Sequence, residues 1–254
     1  MKSSCVLLFC LVFPVVFGQK VVKFDVNGMT REALIFEPTK RSEKIPAVFV
    51  FHGHGGTAKH ASRTMDFQNY YSEAIVVFMQ GIPGRKVSGI DPKGTMNGWQ
   101  VFPNDLENRD LYFFDKVVNK LKSNTKIDNE KVFLVGHSNG ARFVNVLWKE
   151  RPEKFTGLIS VASQGGVMIM NAEPKSIWMS MGKNDRLVPY SSQQKSVKIV
   201  KNNLKINEKP YKVSGDKAFY KGIGKSELVI EDRNAGHEFP KKSISEMVDF
   251  FRRQ

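Results

Sequence analysis

The sequence predicts an α/β sandwich, in which helices cover both faces of a mostly parallel sheet. Short apolar runs with strand character alternate along the chain with stretches of helical periodicity, and this alternation is typical of parallel strands joined by helices. The chain has 254 residues, 41% of them hydrophobic, and shows no repeat, low-complexity tract or linker rich in Gly, Ser or Pro. This length and composition favour one globular domain and exclude a disordered, collagen-like or coiled-coil protein.

The first eighteen residues have the layout of a secretory signal peptide. Lys2 precedes an apolar stretch from Cys5 to Phe17, and Gly18 is the small residue expected before a cleavage site at Gln19. The apolar stretch is too short to span a bilayer, so stable membrane insertion is not predicted. A buried first strand and a membrane anchor are the alternatives. We predict a secreted, extracellular protein with a signal peptide at residues 1–18 and a single domain at residues 19–254.

The cysteine content indicates how the mature protein is stabilised, and the charge content indicates what kind of partner it can bind. Both cysteines, Cys5 and Cys10, lie in the predicted signal peptide, so the mature chain would be stabilised by its core and not by disulfides. Lys and Arg number 39 against 25 Asp and Glu, which gives a net charge of +14. These residues are scattered without a block of five like charges, a pattern that favours a solvated basic surface over a nucleic-acid site. An acidic polymer is a possible partner of such a surface. Nothing in the composition indicates an oligomeric state.

Each element follows from a local pattern. An opening hairpin is predicted from Val21–Val26 and Arg31–Phe36, with Asn27–Gly28 at its turn. Buried parallel strands are predicted at Ala47–Phe51, Ala74–Phe78, Lys131–Val135, Gly157–Val161, Ser176–Met181 and Glu227–Glu231. Apolar residues at three- and four-residue spacing from Leu111 to Leu121 predict a helix, and similar patterns predict helices over 140–150, 191–202 and 243–251. In such sheets the chemistry lies at the carboxyl ends of the parallel strands.

The strongest motif is Gly136-His137-Ser138-Asn139-Gly140, which follows one predicted strand and precedes a predicted helix. A serine in this position is the pattern of a nucleophile elbow. Glycines are expected on either side, because side chains at Gly136 and Gly140 would collide with the neighbouring strand and helix. A plain strand-to-helix turn is the alternative interpretation.

An elbow serine needs a general base, because a free hydroxyl is a poor nucleophile near neutral pH. In this architecture the chain order is Ser, then Asp or Glu, then His. Of the five histidines only His237 follows Ser138. It lies in a turn-rich loop between the strand predicted at Glu227–Glu231 and the last predicted helix. His237 is therefore the predicted base.

Asp185 is the predicted partner of that base. It follows the apolar run Ile177–Met181 in a tight loop at the carboxyl end of a predicted strand. A carboxylate there can accept the imidazole N–H, fix the tautomer of the ring and stabilise the imidazolium that forms in turnover. Asp232 and Glu231 are the fallback candidates.

Two backbone N–H groups are needed to stabilise a developing oxyanion. One is expected from Asn139, the residue after the nucleophile, and the other from the glycine-rich loop His52-Gly53-His54-Gly55-Gly56, with His54 as the first choice. The alternative for this loop is a zinc site that uses His52, His54 and His60. No third ligand has helical spacing, so no metal is predicted.

Several motifs occur together along the chain: His52-Gly53-His54, Asp110–Phe114, Gly136–Gly140 with Arg151–Phe155, Gly182–Asp185 with Val188–Tyr190, and Gly236–Pro240. From about Ala47 to the C-terminus the chain thereby resembles the secreted α/β-hydrolase esterases. It is similar in particular to the polyhydroxybutyrate depolymerase and feruloyl or acetylxylan esterase group, carbohydrate esterase family 1 in the broad sense. The resemblance implies an α/β-hydrolase fold. It also implies that Trp99 borders the cleft and binds substrate, with a core-packing aromatic as the alternative.

The motifs and the resemblance together predict a serine carboxylic-ester hydrolase that needs no cofactor. The resemblance implies an ester on a polymer or its oligomers as substrate, such as feruloylated or acetylated polysaccharide or a polyhydroxyalkanoate chain. Two other classes remain open: a serine peptidase of the prolyl-oligopeptidase type, and a secreted binding protein that uses a hydrolase fold without catalysis. Peptidases of that type usually carry an additional gating domain. Binding proteins with a hydrolase fold have usually lost at least one of the three catalytic residues.

Overall fold

A computed structural model describes residues 18–40, 42–84, 90–125 and 127–254. Except for Gly18, the predicted signal peptide lies outside the described residues. In the described part of the chain, a sheet of ten strands has the order β1-β2-β4-β3-β7-β8-β9-β12-β11-β10, and β5 and β6 form a separate two-stranded ribbon. The strands are β1 (Gln19–Val26), β2 (Met29–Phe36), β3 (Ile45–Phe51), β4 (Ile75–Met79), β5 (Ile82–Pro83), β6 (Asn97–Gly98), β7 (Ile127–His137), β8 (Gly157–Val161), β9 (Ser176–Gly182), β10 (Lys212–Ser214), β11 (Lys217–Lys221) and β12 (Glu227–Arg233).

The centre of the sheet is parallel and both of its edges are antiparallel. Strands β4, β3, β7, β8, β9 and β12 pair in parallel. The β1–β2 hairpin closes one edge and β11–β10 closes the other. The predicted mostly parallel sheet of an α/β-hydrolase fold is therefore confirmed, and the carboxyl ends of six strands share one edge.

Helices cover both faces of the sheet. They are α1 (Ala58–Thr64), α2 (Arg109–Asn124), α3 (Asn139–Glu150), α4 (Tyr190–Asn203) and α5 (Ile244–Arg252), together with short 3-10 turns. The apolar sides of α2, α3 and α4 share one core with the sheet. Those of α1 and α5 share the other, where Phe251 of α5 stacks on Phe133 of β7 with ring centroids 4.2 Å apart. No helix in the described ranges has both the length and the apolar character that crossing a membrane requires.

The predicted strands and helices are all present, with boundaries that differ by a few residues. The hairpin turn lies at Asn27 and Gly28, both with positive φ. The sequence patterns missed α1, β10, β11 and the β5–β6 ribbon. Helix α1 has only seven residues, and all three residues of β10 are exposed, so neither element carries a clear apolar period.

Candidate active site

Ser138 lies at a sharp turn between the end of β7 and the start of α3. Its backbone has φ 54° and ψ −117°, a strained conformation for a residue with a side chain. The turn is tight because the chain passes close to itself: a Cβ on Gly140 would stand 2.2 Å from the carbonyl oxygen of Phe51, and one on Gly136 would stand 2.5 Å from Ala141. Strain at the serine with glycines on both sides is the geometry expected of a nucleophile elbow.

Ser138, His237 and Asp185 form a continuous chain of hydrogen bonds. The Ser138 hydroxyl lies 2.8 Å from Nε2 of His237, and Nδ1 of the same ring lies 2.8 Å from Oδ2 of Asp185. His237 comes from the loop after β12, and Asp185 comes from the loop after β9. Three loops at the carboxyl edge of the sheet thus bring together the three residues predicted as nucleophile, base and acid. With Nδ1 donating to Asp185, Nε2 is left as an acceptor for the serine proton.

The environment of Asp185 keeps its carboxylate ionised and oriented. Burial alone would raise the pKa of Asp185, but hydrogen bonds from the Val188 N–H, from His237 and from the Leu187 N–H outweigh it, so the pKa lies below its ordinary value of 3.8. Oδ2 also accepts a hydrogen bond from Gln193. The side chain is fully buried, while that of His237 is 20% exposed. Asp185 is therefore held from several sides, and the partly exposed His237 side chain faces the cleft.

The two fallback acids have other partners. Glu231 is buried and accepts hydrogen bonds from Trp178 and Ser243. Asp232 lies 3.5 Å from the ammonium group of Lys183. The described contacts of His237 with a carboxylate are those to Asp185, so geometry favours Asp185 over both.

Two further histidines are neutral, of which His52 is buried and His137 is partly buried. Desolvation lowers the pKa of His137 to about 4, and the same cause lowers the pKa of His52 to about 4. His137 Nε2 lies 2.6 Å from the His237 carbonyl oxygen and donates to it, which fixes the backbone of the base. In His52, Nδ1 donates to the Gly53 carbonyl and Nε2 accepts from the Gly81 N–H. Both nitrogens of His52 are thus used by the fold, and this argues against the zinc alternative.

The glycine-rich loop after β3 lies beside the nucleophile. A Cβ on Gly53 would stand 3.5 Å from Cβ of Ser138, and Gly53 and His54 line the same cleft as Ser138. The His54 side chain is buried near Asp91, with Nε2 3.8 Å from the carboxylate. Asn139 is the first residue of α3. Backbone N–H groups at the N-terminus of a helix point outward along the helix axis and can bind an anion. The two predicted oxyanion donors, His54 and Asn139, therefore belong to segments that lie on either side of Ser138.

The prediction that Trp99 contacts substrate is wrong. Its side chain is fully buried, stacked on Phe143 with ring centroids 5.5 Å apart and packed edge-on against Phe51 at 5.3 Å. The indole N–H donates to the His52 carbonyl oxygen at 2.9 Å. Strand β6 pairs with β5 just before Trp99, and the indole lies beneath the glycine-rich loop and not in the cleft. The core-packing alternative is the one that the structure supports.

An open cleft of about 850 Å³ leads to Ser138. It is bounded by the glycine-rich loop, by one side of α1 and by the loops that carry Ser138, Leu187 and His237. Leu187 is 66% exposed at the rim. Within the described ranges, no group of three or more His, Cys, Asp or Glu side chains is placed to hold a metal ion. The cleft thus offers a wide, mainly apolar approach to the Ser138 hydroxyl.

The chain is similar to several known proteins. NocK of Nocardia uniformis subsp. tsuyamanensis, which is named as an inferred esterase, is 28% identical over 124 residues, covering 47% of this chain and 33% of that protein. This chain thus spans about a third of the length of that curated relative. The acetyl xylan esterase from Aspergillus awamori superposes with a TM-score of 0.68 at 14% identity, over 93% of this chain and 100% of that one. A ferulic acid esterase superposes with a TM-score of 0.63 at 14% identity, over 94% and 100%.

At such low identity the structural likeness shows the α/β-hydrolase fold, and the grouping with polyhydroxybutyrate depolymerases stays a prediction. The family is shown by a sequence model of the dienelactone hydrolases, which matches residues 32–253 and thus most of the chain. By that match the chain belongs to the dienelactone hydrolase family.

Proposed function

We propose that this protein is a serine carboxylic-ester hydrolase that works through an acyl-enzyme on Ser138. The observation that carries the proposal is the chain of hydrogen bonds from Asp185 through His237 to Ser138 at a strained strand-to-helix turn. The family match and the esterases among the structural neighbours support the same reaction class.

Each group has a defined role in the proposed reaction. Ser138 Oγ attacks the ester carbonyl carbon while His237 Nε2 takes the hydroxyl proton. Asp185 holds the ring and stabilises the imidazolium, and backbone N–H groups of His54 and Asn139 bind the oxyanion. His237 then gives the proton to the leaving alcohol. Water, deprotonated by the same nitrogen, then attacks the acyl-enzyme, and His237 returns that proton to Ser138 Oγ as the bond to serine breaks and the acid leaves.

The proposed substrate is an ester linked to a polymer or its oligomers, of the feruloyl or acetyl polysaccharide type or of the polyhydroxyalkanoate type. The breadth and openness of the cleft support it, because a chain can lie across the opening while one ester reaches Ser138. The names of the two structural neighbours point to acetylated and feruloylated substrates. We also propose that the protein is secreted, on the strength of the leader-like segment at residues 1–18.

The first test is labelling by a fluorophosphonate probe, read as a shift in intact mass. Wild-type protein is expected to gain one probe, and Ser138→Ala and His237→Ala are expected to gain none, because the first lacks the nucleophile and the second lacks the base. A labelled wild type would then be assayed on acetyl, feruloyl and hydroxybutyrate esters, with a peptide substrate as the control for a peptidase. Well-folded wild type that takes no label and hydrolyses no ester would overturn the proposal in favour of a binding role.

A further inference from the structure

The side chain of Asn139 is bound to the backbone of Trp99. Asn139 Oδ1 accepts a hydrogen bond from the Trp99 N–H at 2.8 Å, and Asn139 Nδ2 donates to the Trp99 carbonyl oxygen at 3.2 Å. Both contacts are buried. The amide therefore pairs with the peptide backbone in both directions, and this fixes the first residue of α3 against the segment Asn97–Trp99.

The same segment also holds the glycine-rich loop. The Trp99 indole N–H donates to the His52 carbonyl oxygen at 2.9 Å, and the Asn97 carbonyl oxygen accepts from the Gly55 N–H at 2.7 Å. Asn97 Nδ2 donates to the Gly56 carbonyl oxygen at 3.0 Å. Three hydrogen bonds thus connect Asn97–Trp99 to the loop on one side of Ser138, and two connect it to Asn139 on the other.

We propose that Asn97–Trp99 is an oxyanion-hole clamp, in which Trp99 and the Asn139 side chain are positioning residues that fix the distance between the two backbone donors. This inference rests on the proposed ester hydrolysis. The His54 and Asn139 N–H groups come from separate segments, and they stabilise an oxyanion only when both are aimed at one point. The clamp contacts both segments through the five hydrogen bonds given above. Its residues lie behind the donors and do not touch substrate.

The test removes the hydrogen bonds of the clamp in two separate variants, and each variant is paired with a control that makes a comparable change elsewhere in the core. Trp99→Phe keeps an aromatic ring but loses the indole donor to His52. Trp148→Phe is the matched control, because Trp148 is also fully buried and its indole N–H donates to a backbone carbonyl, that of Glu173, at 2.7 Å. Asn139→Ala removes both side-chain contacts to Trp99 and leaves the backbone N–H, with Asn145→Ala, buried in the same helix, as its control.

The measurements are kcat and KM for a soluble ester and its thionoester, together with the melting temperature. Removal of one oxyanion donor costs about 100- to 1000-fold in kcat, so misalignment by Trp99→Phe or Asn139→Ala is expected to lower kcat about 10-fold, with KM changed less than about 2-fold. The loss should be greater for the oxoester than for the thionoester, because sulfur is a weak hydrogen-bond acceptor. Trp148→Phe and Asn145→Ala should keep the wild-type kcat.

Two outcomes would overturn the clamp. One is a kcat in Trp99→Phe and Asn139→Ala equal to that of the controls. The other is a fall in kcat that is equal for the oxoester and the thionoester and that parallels the fall in melting temperature. A purely structural role would give that result. If Trp99→Phe does not fold, Asn139→Ala decides the question alone. Failure of the proposed function is distinguishable, because the wild type itself would then be inert toward the ester and the fluorophosphonate.

Discussion

At the residue scale, Asp185 determines which ring nitrogen of His237 carries the proton. Replacement by Asn would leave a side chain that can still accept from Leu187 and Val188, while its amide group would face Nδ1 of His237 in place of a carboxylate oxygen. The ring would then favour the tautomer whose proton lies on Nε2, and it could not take the Ser138 proton. We expect kcat of Asp185→Asn to fall by about 10⁴-fold at pH 7.

The matched control for this prediction is Asp232→Asn. Asp232 is a carboxylate near the end of β12, close in sequence to His237, and it forms an ion pair with Lys183. Its neutralisation should change kcat less than about 2-fold, since this partly exposed ion pair lies outside the chain of hydrogen bonds from Asp185 to Ser138. Steady-state hydrolysis of a soluble ester by both variants checks the pair of expectations. Equal losses in the two variants would show that Asp185 is not the acid that orients His237.

At the scale of elements, the elbow depends on close contact between α3 and β3. A Cβ at residue 140 would lie 2.2 Å from the Phe51 carbonyl oxygen and 2.6 Å from that of His52, and both are backbone atoms that cannot rotate away. We expect Gly140→Ala to lower the free energy of unfolding by about 3 kcal/mol, the upper end of overpacking costs, and to abolish fluorophosphonate labelling. Gly157→Ala, whose Cβ would meet Ser176 O at 3.3 Å, should cost less. Urea denaturation measures both, and equal unfolding midpoints would contradict the packing argument.

The strands and several residues of the candidate site could be predicted from the sequence. Strands with continuous apolar runs, such as Gly157–Val161, were predicted with their observed bounds because burial on both faces leaves a dense signal. Ser138, Asp185 and His237 could be selected from the sequence because each follows a predicted strand in a fixed chain order, and the structure brings the three side chains into hydrogen-bonding contact. Trp99 was misplaced, since an isolated tryptophan in a loop has no periodicity that tells a buried ring from an exposed one. The pairing of the Asn139 side chain with Trp99 joins residues 40 positions apart, and no local pattern encodes such a contact.

At the scale of the whole molecule, two neutral histidines connect the stability of the fold to pH. His52 and His137 have a pKa of about 4 in the folded protein, against 6.5 for an ordinary imidazole. Between these values the unfolded chain binds protons that the folded protein does not, so acidification favours unfolding. Their contribution to stability is complete above about pH 6.5 and is lost as the pH falls toward 4. A shift of this size corresponds to about 3 kcal/mol for each histidine.

We therefore expect the free energy of unfolding, measured by urea denaturation between pH 7.5 and pH 4.5, to fall steeply below pH 6.5. His137→Gln gives the decisive comparison, because the glutamine amide can still donate to the His237 carbonyl but binds no proton. Since one of the two histidines remains, the loss of stability over this range should be about half that of the wild type. A pH dependence identical to that of the wild type would show that His137 is not held neutral by burial. In that case carboxylate groups, and not these two histidines, would govern unfolding at acidic pH.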